Sequence, residues 1–419
     1  MTTPAIPAAL ALADELATRL ADPHVVWPGR PPAETRCWPQ SLAGGAVGIA
    51  LLHLERARSG LGSWKTAHRW LSEAASGEVT GAPNASLFFG APALAFVLNI
   101  AAEHPEQGRF HRALAALDRA TIAVTRTRLT RAQARIDHGD HAEMREFDLI
   151  RGLTGLTAYH LSAHPDHVIT RDCLAYLVRL TEPLPRTDSA LPPWWTPVAP
   201  NGEPDSRYPR GHGNFGVSHG IGAVLAVLSL ALLAGMGGPP DLARAIDRLA
   251  AWTDLWRQHD SDAPWWPGLV TPEQIGQGRV HSDLRPVASW CYGVAGTARA
   301  QQLAGLALRD LERRQAAEAA MLAVLRSPAQ LGRLSSTGLC HGTAGLLHCA
   351  WRMAADATTP EIGAELPQLA THLATQLTNG PAAPNPDLLD GITGAALALH
   401  TLGTGRAPAP FWDSFLTLA

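Results

Sequence analysis

The sequence predicts an all-α fold, an α/α toroid of about seven inner and seven outer helices. Three observations predict it. A small-residue motif recurs along the chain, each occurrence opens a very apolar run of helix length, and a more polar stretch separates one run from the next. The motif reads Gly45-Ala-Val-Gly48, Gly90-Ala-Pro-Ala93, Gly152-Leu-Thr-Gly155, Gly220-Ile-Gly-Ala223, Gly293-Val-Ala-Gly296, Gly342-Thr-Ala-Gly345 and Gly391-Ile-Thr-Gly394. Apolar and half-polar helices alternating at a period of roughly 45 to 75 residues mark a repeat array.

Met1 to Leu20 comes first. It lacks a basic leading segment and contains Asp14 and Glu15, so it reads as an amphipathic helix and not as a signal sequence. The apolar helices that follow include Gly220 to Gly235, Gly342 to Ala354 and Gly391 to Leu402. Between them lie the amphipathic stretches Ala67 to Ala75, His111 to Arg135, Val168 to Leu180, Asp241 to Gln258, Leu308 to Arg326 and Ile362 to Leu377. The very apolar helices belong inside and the amphipathic ones outside. Glycine or alanine spaced three apart weakens a helix interior, so the motif is best placed in a first turn, where helix ends crowd one another. That crowding argues for a closed ring, with the N–H groups and positive dipole ends of the inner helices favouring thiolates and other anions. Such an array shares one continuous core, so residues 1–419 read as a single domain.

Composition narrows the function. Charged residues make up 17% of the chain and the formal net charge is −3, so no basic stripe suggests nucleic acid. No apolar run is long and uninterrupted enough for a membrane span, and a soluble, cytoplasmic protein is expected. The five cysteines, Cys37, Cys173, Cys291, Cys340 and Cys349, are odd in number and widely spaced. Thiols or metal ligands are therefore favoured over a disulfide framework.

Two fragments carry the chemistry, Ser289-Trp290-Cys291-Tyr292-Gly293 and Leu339-Cys340-His341-Gly342. Each sets a thiol two positions before the first glycine of a GxxG, and the second adds a histidine. If the two segments are equivalent parts of a repeat, Cys291, Cys340 and His341 converge as three zinc ligands with a fourth position open, as in catalytic sites. The same register places His219, His341 and Asp390 one residue before the glycine of their motifs, and Asp148 four before Gly152. Ala43, Gly44, Phe88 and Phe89 occupy these positions in the first two copies, so one side of the mouth is chemical and the other small or apolar.

Trp290-Cys291-Tyr292-Gly293, Cys340-His341-Gly342, Asn214-Phe215-Gly216-Val217-Ser218-His219-Gly220-Ile221 and Phe147-Asp148-Leu149-Ile150-Arg151-Gly152 together resemble the lanthionine synthetase C-type cyclases, from about Ser41 to Leu402. The resemblance implies an α/α toroid, zinc held by Cys291, Cys340 and His341, and catalytic roles for His219 and Asp148. It also implies a dehydrated precursor peptide as substrate, with a separate dehydratase and export complex. Relatives often carry an arginine three residues before the motif tryptophan; here that residue is Val287, and Arg285 is the nearest candidate.

Zinc with one open position deprotonates a substrate thiol, and two thiolate ligands keep that sulfur nucleophilic. The thiolate can add to dehydroalanine or dehydrobutyrine, giving (methyl)lanthionine. His219 is the natural acid-base residue for the resulting enolate, Asp148 its orienting partner, and Tyr292 a hydroxyl for the developing oxyanion. Trp290 is expected to line the cleft with Tyr292. Two other functions use the same motifs: a transferase adding glutathione or another thiol to dehydroamino acids, and a non-catalytic zinc- or peptide-binding scaffold. The bland readings are a helix cap for Asp148 and Asp390, core packing for His348 and Cys349, and a solvated loop for Asp137 to His141. The pairs Trp194-Trp195 and Trp265-Trp266 read equally as a cleft wall or as packing of the Pro-rich links.

Overall fold

A computed structural model describes residues 5–28, 39–102, 110–185, 191–236, 241–259, 263–381, 383–407 and 411–419. Cys37 and Met1–Pro4 lie outside them. The described chain is helical, with two small antiparallel strand pairs that the sequence did not announce, Gly213–Asn214 with Leu269–Val270 and Gln258–His259 with Pro264–Trp265. No described helix is long and apolar enough to cross a membrane.

All seven motif copies begin helices, as expected. Gly45, Gly152, Gly220, Gly293, Gly342 and Gly391 are N-cap residues, and Gly90 immediately precedes the Ala91–Ala102 helix. The glycines are needed because each loop folds back on the helix it starts. A Cβ at Gly293, Gly342 or Gly391 would overlap the carbonyl oxygen of Val287, Ser336 or Asn385, and one at Gly296, Gly345 or Gly394 would overlap that of Trp290, Leu339 or Leu388.

The same fold-back satisfies part of these helix starts. Loop carbonyls take some of the first helical N–H groups: Thr343 N–H donates to Ser336 (2.9 Å), Gly345 to Gly338 (3.2 Å), Ile392 to Asn385 (2.9 Å) and Gly296 to Ser289 (3.3 Å).

Contacts group the chain into two compact units, residues 1–121 with 331–415 and 419, and residues 122–330 with 416–418. In the first unit the buried helices are Ala46–Arg58, Ala91–Ala102, Thr343–Asp356 and Ile392–Thr404. The amphipathic Trp64–Ala74 helix packs on the first of these and Glu361–Thr378 on the third. The N-terminal Pro7–Arg19 helix packs on the Ile392–Thr404 helix, giving the last motif copy its amphipathic partner from the other end of the sequence. Successive loops are joined by backbone bonds: Cys340 N–H to Leu389 carbonyl (2.8 Å), Leu388 N–H to Ala43 (2.9 Å) and Leu42 N–H to Phe88 (3.0 Å).

In the second unit the buried helices are Leu153–Ala163, Ile221–Leu233 and Val294–Leu308, backed by Val168–Arg179, Leu242–Leu255 and Leu311–Leu325. Its loops are chained likewise, with Leu149 N–H donating to Ser218 (3.2 Å) and Val217 N–H to Cys291 (2.8 Å). The side chain three residues before one motif glycine covers the second glycine of the next copy; Val217 sits on Gly296, as Leu388 sits on Gly48 in the first unit.

Candidate metal centre and active site

Asp148 ends the short Met144–Phe147 helix and is 1% exposed. Its Oδ1 accepts the backbone N–H groups of Arg151 (2.6 Å) and Gly152 (2.7 Å), and its Oδ2 lies 2.6 Å from His219 Nδ1. The backbone cap and the contact to His219 are thus made by one side chain. An ionised carboxylate can only accept, so Nδ1 carries the proton and Nε2 is the nitrogen left to exchange one. Leu149 N–H bound to the Ser218 carbonyl holds the two loops in the register that makes this contact.

His219, whose side chain is 31% exposed, lines a cleft of about 100 Å³ with Asp148, Glu143, Arg145, Arg151 and Glu203. Pro200, Asn201 and Gly202 also line it, so the long link from Glu182 to Gly213 contributes a wall.

Cys291 is buried, with Ser289 Oγ 3.4 Å from its sulfur, and its carbonyl accepts from Val217 and Ser218. Tyr292 follows. Its ring fits only because Gly216 and Gly268 lack side chains, and its oxygen accepts from Asn214 Nδ2 (3.2 Å). Burial pushes the Tyr292 hydroxyl up to about 12, so the phenol stays protonated at neutral pH.

Asn214 is a residue whose part the sequence reading missed. Its side chain also contacts Met144 sulfur (3.1 Å), and its Oδ1 accepts Gly216 N–H (3.0 Å). The strand pairing of Asn214 with Leu269 fixes it there.

Cys340 and His341 stand in the loop before the Thr343–Asp356 helix. His341 Nδ1 is 3.5 Å from Asp390 Oδ1. Cys291, Cys340 and His341 can each offer one ligand atom, and these atoms all lie within 4.8 Å of one another, a group that could hold a metal ion. Among the described residues no other group of three histidines, cysteines or carboxylates does so. The loop expected over Asp137 to His141 is corrected in part: Asp137 and His138 end the His111–His138 helix, where Asp137 accepts from Gln133 and His138 faces the Ala134 carbonyl one turn back, and only Gly139 to His141 lie beyond it.

Trp290 does not line the cleft. It is 1% exposed, and its indole N–H donates to the Leu416 carbonyl (3.0 Å). Trp194, Trp195, Trp265 and Trp266 are likewise buried, in agreement with link packing. Arg285 is buried too. His348 and Cys349 are core residues, and His348 Nε2 meets Asp413 Oδ2 at 2.6 Å. Arg352 binds both oxygens of the same carboxylate, at 2.6 Å each. Burial alone would raise the Asp413 carboxyl, but Arg352 and His348 hold it well below the usual carboxylate range. The tail carrying Asp413 is a further element that the sequence reading missed.

No curated protein matches the sequence. Among solved structures, nisin cyclase superposes with a TM-score of 0.77 at 18% identity, over 98% of this chain and 96% of that chain. The likeness shows the fold, and the expected α/α toroid is borne out by it. The model of the family described as lanthionine synthetase C-like protein matches residues 36–417. That match takes in both thiol motifs and the His219–Asp148 pair, and the chain belongs to the lanthionine synthetase C-like family.

Proposed function

We propose that this chain is a zinc-dependent lanthipeptide cyclase, acting on a dehydrated precursor peptide whose cysteines add to dehydroalanine or dehydrobutyrine to form (methyl)lanthionine rings. The observation that carries the reading is the presence, in one family member, of a two-thiol, one-imidazole donor group together with a histidine held by a buried carboxylate.

The donors suit the metal. Sulfur and imidazole nitrogen are the ligands zinc prefers, and three of them leave a position for substrate, which favours Zn²⁺ over a hard cation that would call for oxygen. Cys291 and Cys340 carry thiols and not disulfides. Bound by Cys291, Cys340 and His341, zinc would supply the charge that makes a substrate thiol a thiolate near neutral pH.

The chain's own residues do the rest. His219 Nε2 takes up or delivers the proton, while Asp148 keeps Nδ1 protonated and the ring aimed. As sulfur bonds to the β-carbon, the double-bond pair moves toward the carbonyl, and the proton given to the α-carbon balances the one lost by the thiol. Tyr292, neutral and held by Asn214, is assigned the hydroxyl that meets the developing oxyanion. The cleft wall of Arg145, Arg151 and Glu203 would take the polar backbone of an extended peptide.

The His219–Asp148 pair favours an enzyme over a binding scaffold. A separate dehydratase would supply the peptide and an export complex would remove it, in a cytoplasm that keeps the thiols reduced. Residues 1–419 are read as one catalytic domain of seven repeats.

The test incubates the zinc-loaded protein with a dehydrated Ser/Thr/Cys-rich peptide and counts alkylatable thiols by mass spectrometry. Loss of thiols at unchanged peptide mass is expected. Adduct formation with added glutathione, without intramolecular closure, would replace this reading by the transferase.

A further inference from the structure

Asp390 directly precedes Gly391, the N-cap of the Ile392–Thr404 helix, where an aspartate ordinarily serves as a cap. The first helical N–H, that of Ile392, goes to the Asn385 carbonyl at 2.9 Å. The Asp390 carboxylate faces the neighbouring loop, where its Oδ1 lies 3.5 Å from His341 Nδ1.

Two features of the backbone arrange this approach. Cys340 N–H donates to the Leu389 carbonyl at 2.8 Å, which places His341 and Asp390 side by side, each one residue before its motif glycine. Gly338 lets the Asp390 backbone come close, since a Cβ there would stand 2.8 Å from Asp390 Cα. Both side chains keep some exposure, His341 51% and Asp390 28%, so a small rotation closes the remaining gap to hydrogen-bond distance.

We infer that Asp390 is a positioning residue for His341: it accepts the Nδ1–H, fixes the tautomer and ring direction, and leaves the Nε2 lone pair for the metal. The inference rests on the metal reading proposed above. A histidine that ligates through one nitrogen characteristically donates its other N–H to a carboxylate or carbonyl, which raises its basicity and removes the cost of orienting the ring.

The test compares zinc dissociation constants of the full-length wild type, Asp390→Ala and Asp390→Asn by competition with a chromogenic chelator. Thermal unfolding of each metal-free protein is measured alongside. Asp390→Ala is expected to bind zinc about ten- to a hundredfold more weakly, with metal-free stability unchanged. Asp390→Asn, whose amide oxygen still accepts an N–H, should recover part of that loss. Zinc binding by Asp390→Ala as tight as wild type overturns the inference, and so does a loss matched by an equal fall in metal-free stability. Wild-type protein that takes up no zinc overturns the metal reading, and the inference falls with it.

Discussion

Replacing Asp148 separates two duties that the structure gives to one carboxylate. Oδ1 holds the N–H groups of Arg151 and Gly152 at 2.6 and 2.7 Å, and Oδ2 holds His219 at 2.6 Å, all from a side chain that is 1% exposed. In Asp148→Ala both backbone donors lose their acceptor, one of them fully buried. Each such loss costs about 1–3 kcal/mol, comparable to removal of a good cap, so a destabilisation of about 2–4 kcal/mol is expected.

Asp148→Asn acts differently. Its amide oxygen can keep the two backbone donors, while its NH₂ faces His219 Nδ1. The imidazole must then accept there and carry its proton on Nε2, the inverse of the tautomer described above. Stability should fall by about 1 kcal/mol, but ring closure should slow by about a hundred- to ten-thousandfold, the range for loss of a correctly disposed acid-base group. Denaturant unfolding reads the first quantity and a time course of alkylatable peptide thiols reads the second. Wild-type closure by Asp148→Asn would refute the orienting role, and wild-type stability of Asp148→Ala would refute the cap.

Metal analysis of purified protein should find about one zinc per chain, with severe loss in Cys291→Ala, Cys340→Ala and His341→Ala; full zinc in both cysteine variants would remove the site. His53, His212 and His400 are lowered to about 4, in each case chiefly by burial. Their folded values lie below the unfolded one, so the unfolded chain binds more protons between about pH 6.5 and 4. Stability is therefore fully present above pH about 6.5 and should fall as pH drops toward 4, by up to about 3 kcal/mol per histidine; a denaturation midpoint flat across that window would contradict the burial assigned to them. Asp413→Ala strands the buried Arg352 and His348 without their anion and should cost about 3–5 kcal/mol in thermal or chemical unfolding. A loss below about 1 kcal/mol would show that the tail is not anchored through that carboxylate.

The helix starts were legible because their cause is local: a loop that folds onto its own helix demands glycine at fixed positions, and glycine spacing is visible in a sequence. The cluster of Cys291, Cys340 and His341 was legible for the same reason, since Cys291 and Cys340 share a register with the motif. What the register could not show is which groups meet at contact distance. Asp148 read as either a cap or a catalytic partner because both need an aspartate before a helix, and one of its oxygens holds the Arg151 and Gly152 N–H groups while the other lies against His219. Trp290 looked like a cleft residue by its place beside Cys291, yet its indole N–H reaches the Leu416 carbonyl 126 residues away, a contact that leaves no pattern in the chain. Asn214 and the tail from Trp412 to Leu418 escaped notice similarly, because side-chain bonds over long separations have no spacing rule. The helix ends that the sequence offered to anions are partly taken by loop carbonyls, as at Thr343 and Ile392, while the Gly152 N–H meets the Asp148 carboxylate.

The most direct test of the account is ring closure by His219→Ala, measured beside its zinc content. His219 is not one of the three clustered donors, yet the proposed mechanism assigns it the proton. The variant should retain zinc and fold while the dehydrated peptide keeps its alkylatable cysteines about a hundred- to ten-thousandfold longer, or closes into altered rings. Closure at the wild-type rate with the wild-type ring pattern would contradict the account, and so would loss of the metal from His219→Ala.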